Sequence, residues 1–152
     1  MTKNKAEIQI REIKYGSEEY KKELKLRDEV LRKPLGMNLY IENLEGEKHD
    51  THIGAFIDNN LVGVLILTKL NREDIKMRQF AVDEVFRAHK IGTEMVNYAE
   101  EYSRNNGYST IVLNARKSAA GFYEKLGYEK ISNEFLEINI PHYKMRKCII
   151  SE

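Results

Sequence analysis

The sequence predicts an α/β fold built on a mixed sheet (α+β in character), and three observations carry that prediction. Short β-branched, apolar runs at 51–57, 61–70, 75–82 and 111–113 alternate with segments of helical period. The unit 75–113 reads strand, helix, strand, which requires a right-handed crossover and a parallel pair. Asp58-Asn59-Asn60, between two apolar runs, is hairpin chemistry, so antiparallel neighbours share the sheet. The order that follows is β-α-β-β-β-α-β-α-β-β.

Ile8, Ile10 and Ile13 alternate with polar residues and place a first strand near 7–14. Ser17 is a helix cap, and Glu18 and Glu19 suit the positive end behind it. Tyr20, Leu24, Arg27 and Leu31 recur at helical spacing until Pro34 and Gly36, giving a helix over 18–32. Residues 37–50 are polar and irregular, a short second helix or a loop. The hairpin 51–70 and the strand 75–82 follow. Ile91, Met95, Tyr98, Ala99 and Tyr102 mark one face of a helix that ends at Gly107. The wholly apolar Ile111-Val112-Leu113 is expected to be covered on both faces. A helix from about Lys117 to Leu126 turns Ala119, Phe122 and Leu126 inward and stops at Gly127. Further strands are expected at 128–131, 134–140 and 142–150.

At 152 residues, one domain over 1–152 is the natural size, with 1–6 loose. Basic and acidic residues number 25 and 24, and that balance argues against a nucleic-acid partner. Cys148, the single cysteine, excludes an internal disulfide and fits a reducing compartment; it reads as a small apolar filler. No apolar run approaches the ~20 residues that cross a bilayer. MTKNKAE lacks the apolar centre of a signal peptide. A cytoplasmic protein without a membrane partner or a metal is expected. The basic run Lys144, Arg146, Lys147 reads as the wet face of an edge strand.

The most informative stretch is 75–93. A strand leads through a short basic loop into a helix opening at Ile91-Gly92-Thr93, and Arg87, His89 and Lys90 converge on that end. Helix N-termini present unsatisfied N–H groups and the positive end of the macrodipole. Basic side chains are unfavourable there by ~0.3–1 kcal/mol each unless an anion is present. An anionic ligand, a diphosphate above all, fits better than a merely solvated charged face.

V-D-E-V-F-R-A-H-K-I-G (82–92) resembles motif A of the GNAT superfamily of N-acetyltransferases, and L-N-A-R-K-S-A-A-G-F-Y-E-K-L-G-Y (113–128) resembles its motif B. With the order of elements, the resemblance covers about 8–148. V-L-R-K-P-L-G (30–36), M-R-Q-F-A-V (77–82) and I-P-H-Y-K-M (140–145) are similar to a bacterial subgroup whose substrates are mostly unassigned. The resemblance implies the acyl-CoA N-acyltransferase fold, with acetyl-CoA as cosubstrate and a primary amine of a small molecule or protein as acceptor. It implies the donor's diphosphate on the amides of Arg87, Ala88, His89, Lys90, Ile91, Gly92 and Thr93. The pantetheine arm would lie beside Phe80, Ala81 and Val82, one of whose amides would stabilise the oxyanion. Phe122 belongs to the same donor site by its place in motif B. Ala88 and Lys90 stand where the family often has glycine, and Glu84 where proline is common.

Tyr123 stands where the family has its general acid; a phenol with pKa ≈ 10 is protonated at neutral pH. The alternative is a core tyrosine. Asn114 either bonds the pantetheine or substrate or satisfies its own backbone. His142 and Glu137 are the candidates for the base, against a His142 fixed by Pro141 in a strand-entry turn. His52 and His49 read as ordinary strand or surface residues. Arg27 and Arg32 lie near the acceptor pocket in such folds; they bind a substrate carboxylate or pair with Asp28 and Glu29 on the helix surface. Arg78 and Gln79 alternate on a strand, so one of the two faces the substrate. A CoA-binding or acyl-CoA-binding sensor without turnover is the alternative function, and the chain is either a monomer or a homodimer.

Overall fold

The computed structural model describes residues 7–150, and the side chains of Ala88 and His89 are outside that description. The segment 1–6, expected to be loose, therefore lies outside the described residues. By its internal packing the chain divides into two compact units, one running to Leu67 and including Gln79–Ala99, the other formed by Thr68–Arg78 and the residues from Glu100 onward.

In the first unit, β1 (Ile8–Ile13) pairs antiparallel with β2 (Thr51–Ile57), and β2 with β3 (Asn60–Lys69). Asp58 and Asn59 turn this hairpin with φ of 50° and 65°. Left-handed backbone of that kind is cheapest for Asn and Asp among non-glycine residues, as the sequence predicts. The interiors of β2 and β3 are buried almost without interruption.

α1 (Glu18–Arg27) starts as expected, with the Ser17 hydroxyl accepting from the Tyr20 amide at 3.2 Å. The helix predicted over 18–32 is not uniform. After Arg27 it widens into one π turn, Asp28–Arg32, closed by the Lys33 amide on the Asp28 carbonyl. Residues 37–50, expected to be a short helix or a loop, hold two short 3₁₀ turns, Leu39–Ile41 and Glu45–His49. Asp28 ties the first of them down by accepting from the Leu39 amide at 2.9 Å.

α2 (Ile91–Asn105) packs Ile91 and Met95 without exposure. Gly63 of β3 permits this: a Cβ there would stand 2.7 Å from the Met95 sulfur and 3.5 Å from Ile91.

In the second unit the opening of β4 (Asp74–Val82) runs parallel to β5 (Thr110–Arg116), from Asp74 opposite Thr110 to Lys76 opposite Val112. β5 pairs antiparallel along its length with β8 (Ile140–Cys148). β6 (Glu129–Lys130) and β7 (Phe135–Glu137) both pair with β8. The strand order is β1-β2-β3-β4-β5-β8-β6, with β7 beside β8. The mixed sheet is as expected.

Several details differ. The three strands expected after α3 (Ala120–Lys125) are all present, one more than the order of elements counts. The last turn falls at Ile138 and Asn139, with φ of 46° and 61°, so Pro141 lies inside β8 opposite Leu136 and does not precede the strand. Because β8 has neighbours on both sides, Lys144 and Arg146 are an exposed face of an inner strand, not of an edge. Lys147 instead bonds Glu100 at 2.9 Å. Cys148 is exposed and fills nothing. On α3 the buried residues are Ala120 and Tyr123, while Ala119, Phe122 and Leu126 are half-buried; the inward face is turned by one position from the expected one.

Candidate active site

The basic turn is built from the backbone outward. The Asp83 amide donates to the Val62 carbonyl at 2.8 Å, and the Asp83 carboxylate accepts from the Val85 amide at 3.1 Å. A 3₁₀ turn, Glu84–His89, then leads into Lys90, whose φ of 59° is left-handed. This is the conformation glycine adopts at least cost, and Lys90 keeps it without being glycine. The backbone path that a glycine would give is therefore retained, with a cation added. The Glu94 amide closes the first full turn on the Lys90 carbonyl at 3.2 Å, so the amides of Ile91, Gly92 and Thr93 have no acceptor within the helix. Arg87 is exposed, and its Nε donates to the Val82 carbonyl at 3.3 Å, a neutral partner that leaves its charge uncompensated at this contact. Lys90 is exposed as well; the side chains expected of Ala88 and His89 lie outside the described residues.

β4 approaches this turn with an irregularity. Gln79 has a φ of 53°, left-handed in the middle of a strand. A left-handed residue interrupts the extended path of a strand and is the conformation found at β-bulges. Arg78 reaches the Thr68 hydroxyl at 3.5 Å, whereas the Gln79 side-chain oxygen accepts from Arg27 and Arg32, each at 3.4 Å. Phe80 and Val82 are half-buried and Ala81 is buried.

The second unit holds the other expected polar residues. Tyr123 is buried at 8% exposure, with ring centroids 5.1 Å from Phe122 and 5.8 Å from Tyr128. Burial pushes its hydroxyl well above the ordinary phenol value, so it holds its proton across the neutral range. Asn114 donates to Glu137 at 3.0 Å, and the other Glu137 oxygen lies 3.5 Å from Nε2 of the buried His142. His142 Nδ1 is 2.7 Å from the Ile140 carbonyl, which can only accept, so Nδ1 carries the hydrogen. In the neutral ring Nε2 is then the nitrogen with the free lone pair, and it faces the Glu137 carboxylate. The imidazole stacks on Phe135 at 6.0 Å. Asn114, Glu137 and His142, separate in sequence, form one chain of polar contacts.

Among the described residues, the largest buried polar group is one the sequence does not announce. Arg27 is 1% exposed. Its two terminal nitrogens donate to Glu23 at 2.9 Å, to the two oxygens of Glu47 at 2.8 and 2.6 Å, and to Gln79. Tyr20 donates to Glu47 at 2.8 Å, and His52 bridges the Glu23 carboxylate at 2.8 Å and the Glu47 carbonyl at 2.8 Å. Glu23, Glu47 and His52 are close enough to share a metal ion, but the Arg27 guanidinium already supplies the cation their carboxylates require. Arg27 and Arg32 do not pair with Asp28 or Glu29 as the helix-surface alternative expects. Arg32 forks onto Glu42, at 2.7 Å from Nε and 3.2 Å from Nη2. The one sequence signal for this cluster was Arg27 falling on the apolar face of its helix.

Burial works against the His52 charge, yet its bond to Glu23 and the charge of Glu23 outweigh it, so His52 lies above the ordinary 6.5. A raised imidazole contributes stability that is complete below 6.5 and disappears as pH climbs through the raised value. Glu47 is likewise opposed by burial but held below the usual carboxylate range by Arg27; its contribution is present above 4.5 and fades as pH drops through the lowered value. Urea midpoints measured from neutral pH upward should therefore decline in the wild type, and His52→Gln should flatten that decline. An unchanged slope in the variant would refute this assignment.

A sequence model of the Acetyltransferase (GNAT) domain matches residues 18–149. YjcF of Bacillus subtilis, an uncharacterized N-acetyltransferase, is 29% identical over 138 residues, 89% of this chain and 96% of its own. YyaT of the same organism, an uncharacterized protein, is 33% identical over 98 residues, 64% of this chain; the alignment spans 66% of the YyaT length. Among solved structures, an aminoglycoside 6'-N-acetyltransferase complexed with coenzyme A has a TM-score of 0.79 at 21% identity, covering 95% of this chain and 98% of that one. An acetyltransferase of the GNAT family from Staphylococcus aureus Mu50 gives 0.74 at 20% identity, covering 95% and 100%. The structural likenesses speak to the fold, and the match over 18–149 speaks to descent: this chain belongs to the GNAT acetyltransferase family.

Proposed function

We propose that this chain is an acetyl-CoA-dependent N-acetyltransferase, one domain acting on a primary amine by direct attack in a ternary complex. The observation that carries the reading is the left-handed Lys90 between the 3₁₀ turn and α2, which keeps a glycine-type path into a helix start flanked by Arg87. Family membership and the coenzyme A bound to a structural neighbour support the choice of ligand.

In this reading the amides from Arg87 to Thr93 take the diphosphate, and Phe80, Ala81 and Val82 offer backbone groups to the pantetheine arm. An amide of that segment polarises the thioester carbonyl. The neutral amine adds to this carbonyl, forming the C–N bond. Collapse of the tetrahedral intermediate breaks the C–S bond, and the sulfur takes the Tyr123 proton. The proton that the amine must lose goes to Nε2 of His142, which lies beside the Glu137 carboxylate; Asn114 holds Glu137 in place. Phe122 is assigned to the donor side, and Arg32 and Arg78 to the acceptor side. Both terminal nitrogens of Arg27 are bonded to carboxylates, so this side chain is better suited to holding its neighbours than to meeting a substrate.

Calorimetry with coenzyme A, alongside thiol release from acetyl-CoA over a panel of primary amines, tests the proposal. Binding with amine-dependent thiol release supports it. Binding with no release from any amine would leave a sensor, and absence of binding would remove both readings.

A further inference from the structure

We propose that Gln79 is a positioning residue: held by the paired guanidinium groups of Arg27 and Arg32, it fixes the bulge of β4 that sets the direction of the Phe80–Val82 amides. The inference deepens the acetyltransferase reading and rests on it for what those amides do.

Four observations converge. Gln79 has a φ of 53° inside a strand, a conformation that a long side chain does not choose without an external constraint. The constraint is visible, because its side-chain oxygen accepts from Arg27 and Arg32 at 3.4 Å each. Both guanidinium groups are themselves anchored, Arg27 by Glu23 and Glu47 and Arg32 by Glu42. The chain conformation of α1 is also fitted to the task. Residues five apart on an α-helix point about 140° away from each other. The π turn at Asp28–Arg32, with its Lys33-to-Asp28 hydrogen bond, widens the helix at this place, and the two arginines meet at one oxygen. Wide turns of this kind recur at functional positions.

A bulge held only by its own backbone would let the three residues after it swing. An amide that must meet a developing oxyanion tolerates little swing, since misplacement by about 1 Å can lower a rate about a hundredfold. The clamp acts before substrate arrives, as preorganisation.

The test compares Gln79→Asn with Gln79→Glu. Asparagine tolerates left-handed backbone but is one methylene too short to reach the arginines. Glutamate keeps the length and accepts from both. For Gln79→Asn we expect thiol release with a responsive amine to fall at least about tenfold at saturating acetyl-CoA. Coenzyme A affinity should change less than about twofold, and Tm should stay within about 4 °C because a weak bond is lost while backbone strain is eased. Gln79→Glu should restore most of the rate. Independently of turnover, amide NMR signals of Phe80, Ala81 and Val82 should shift and broaden in Gln79→Asn but not in Gln79→Glu. Unchanged amide signals would overturn the clamp, whether or not any amine is acetylated. Perturbed signals with an unchanged rate would overturn the positioning role. Perturbed signals in a protein that acetylates no amine would retain the clamp and dismiss the acetyltransferase reading and the positioning role with it.

Discussion

Arg27→Met should cost about 3–5 kcal/mol of folding stability. The guanidinium stands 2.9 Å from Glu23 and 2.6 Å from Glu47, with side-chain exposures of 1%, 0% and 6%. Methionine fills the space but leaves two buried carboxylates facing one imidazole. The penalty is the uncompensated charge, not the lost contact, because taking a carboxylate out of water is repaid only by a partner. A built-in comparison exists. Arg11 and Glu19 form an equally short fork, 2.7 and 2.6 Å, but their side chains are 36% and 33% exposed. Arg11→Met should therefore cost less than about 1 kcal/mol. Urea unfolding of both variants measures the difference. Equal losses would mean that burial of the Arg27 group does not set its energetics.

The same contrast explains what the sequence could and could not disclose. Punctuation was legible because its causes are local: Ser17 caps the helix that follows it, Asp58-Asn59 turns the hairpin, and Gly107 and Gly127 sit at positive φ where their helices end. The mixed sheet and the helix after the basic turn follow from periodicity of the same short range. The buried cluster was not legible. Arg27 and Glu47 lie 20 residues apart and Glu23 and His52 lie 29 apart, so the one helical pair, Arg27 with Glu23, gives no sign in sequence of the partners that bury it. Charged residues are almost never fully buried unless paired, and pairing over that distance is a property of the fold. The π turn is hidden for a similar reason, since nothing in D-E-V-L-R distinguishes it from ordinary helix. At the C-terminus the expectation that Pro141 would break the strand lost to pairing: β7 supplies Leu136 opposite it, and the turn moved to Ile138-Asn139. Among the candidate site residues, the order of the turn 83–93 came from sequence, whereas the meeting of Asn114 with Glu137 and His142 needed the hairpin of β7 and β8.

Tyr123→Phe should lower the maximal rate of acetyl transfer about a hundredfold or more while leaving coenzyme A affinity nearly untouched. Proton supply sets the size of the effect. When the tetrahedral intermediate collapses, the departing sulfur gains an electron pair and is best expelled with a proton arriving. The Tyr123 hydroxyl is buried, and burial alone drives its pKa upward, so the ionised form is absent at neutral pH and the proton is always in place. Phenylalanine preserves the ring contacts with Phe122 and Tyr128 and removes only the hydroxyl. A packing role therefore predicts almost no change in rate, and a proton-donating role predicts a large one. Because the lost step follows amine addition, the variant's deficit should shrink with an acyl donor whose leaving thiol is more acidic, such as a thiophenyl ester mimic. A rate deficit independent of the leaving thiol would assign the hydroxyl to holding the substrate in place and not to protonating sulfur.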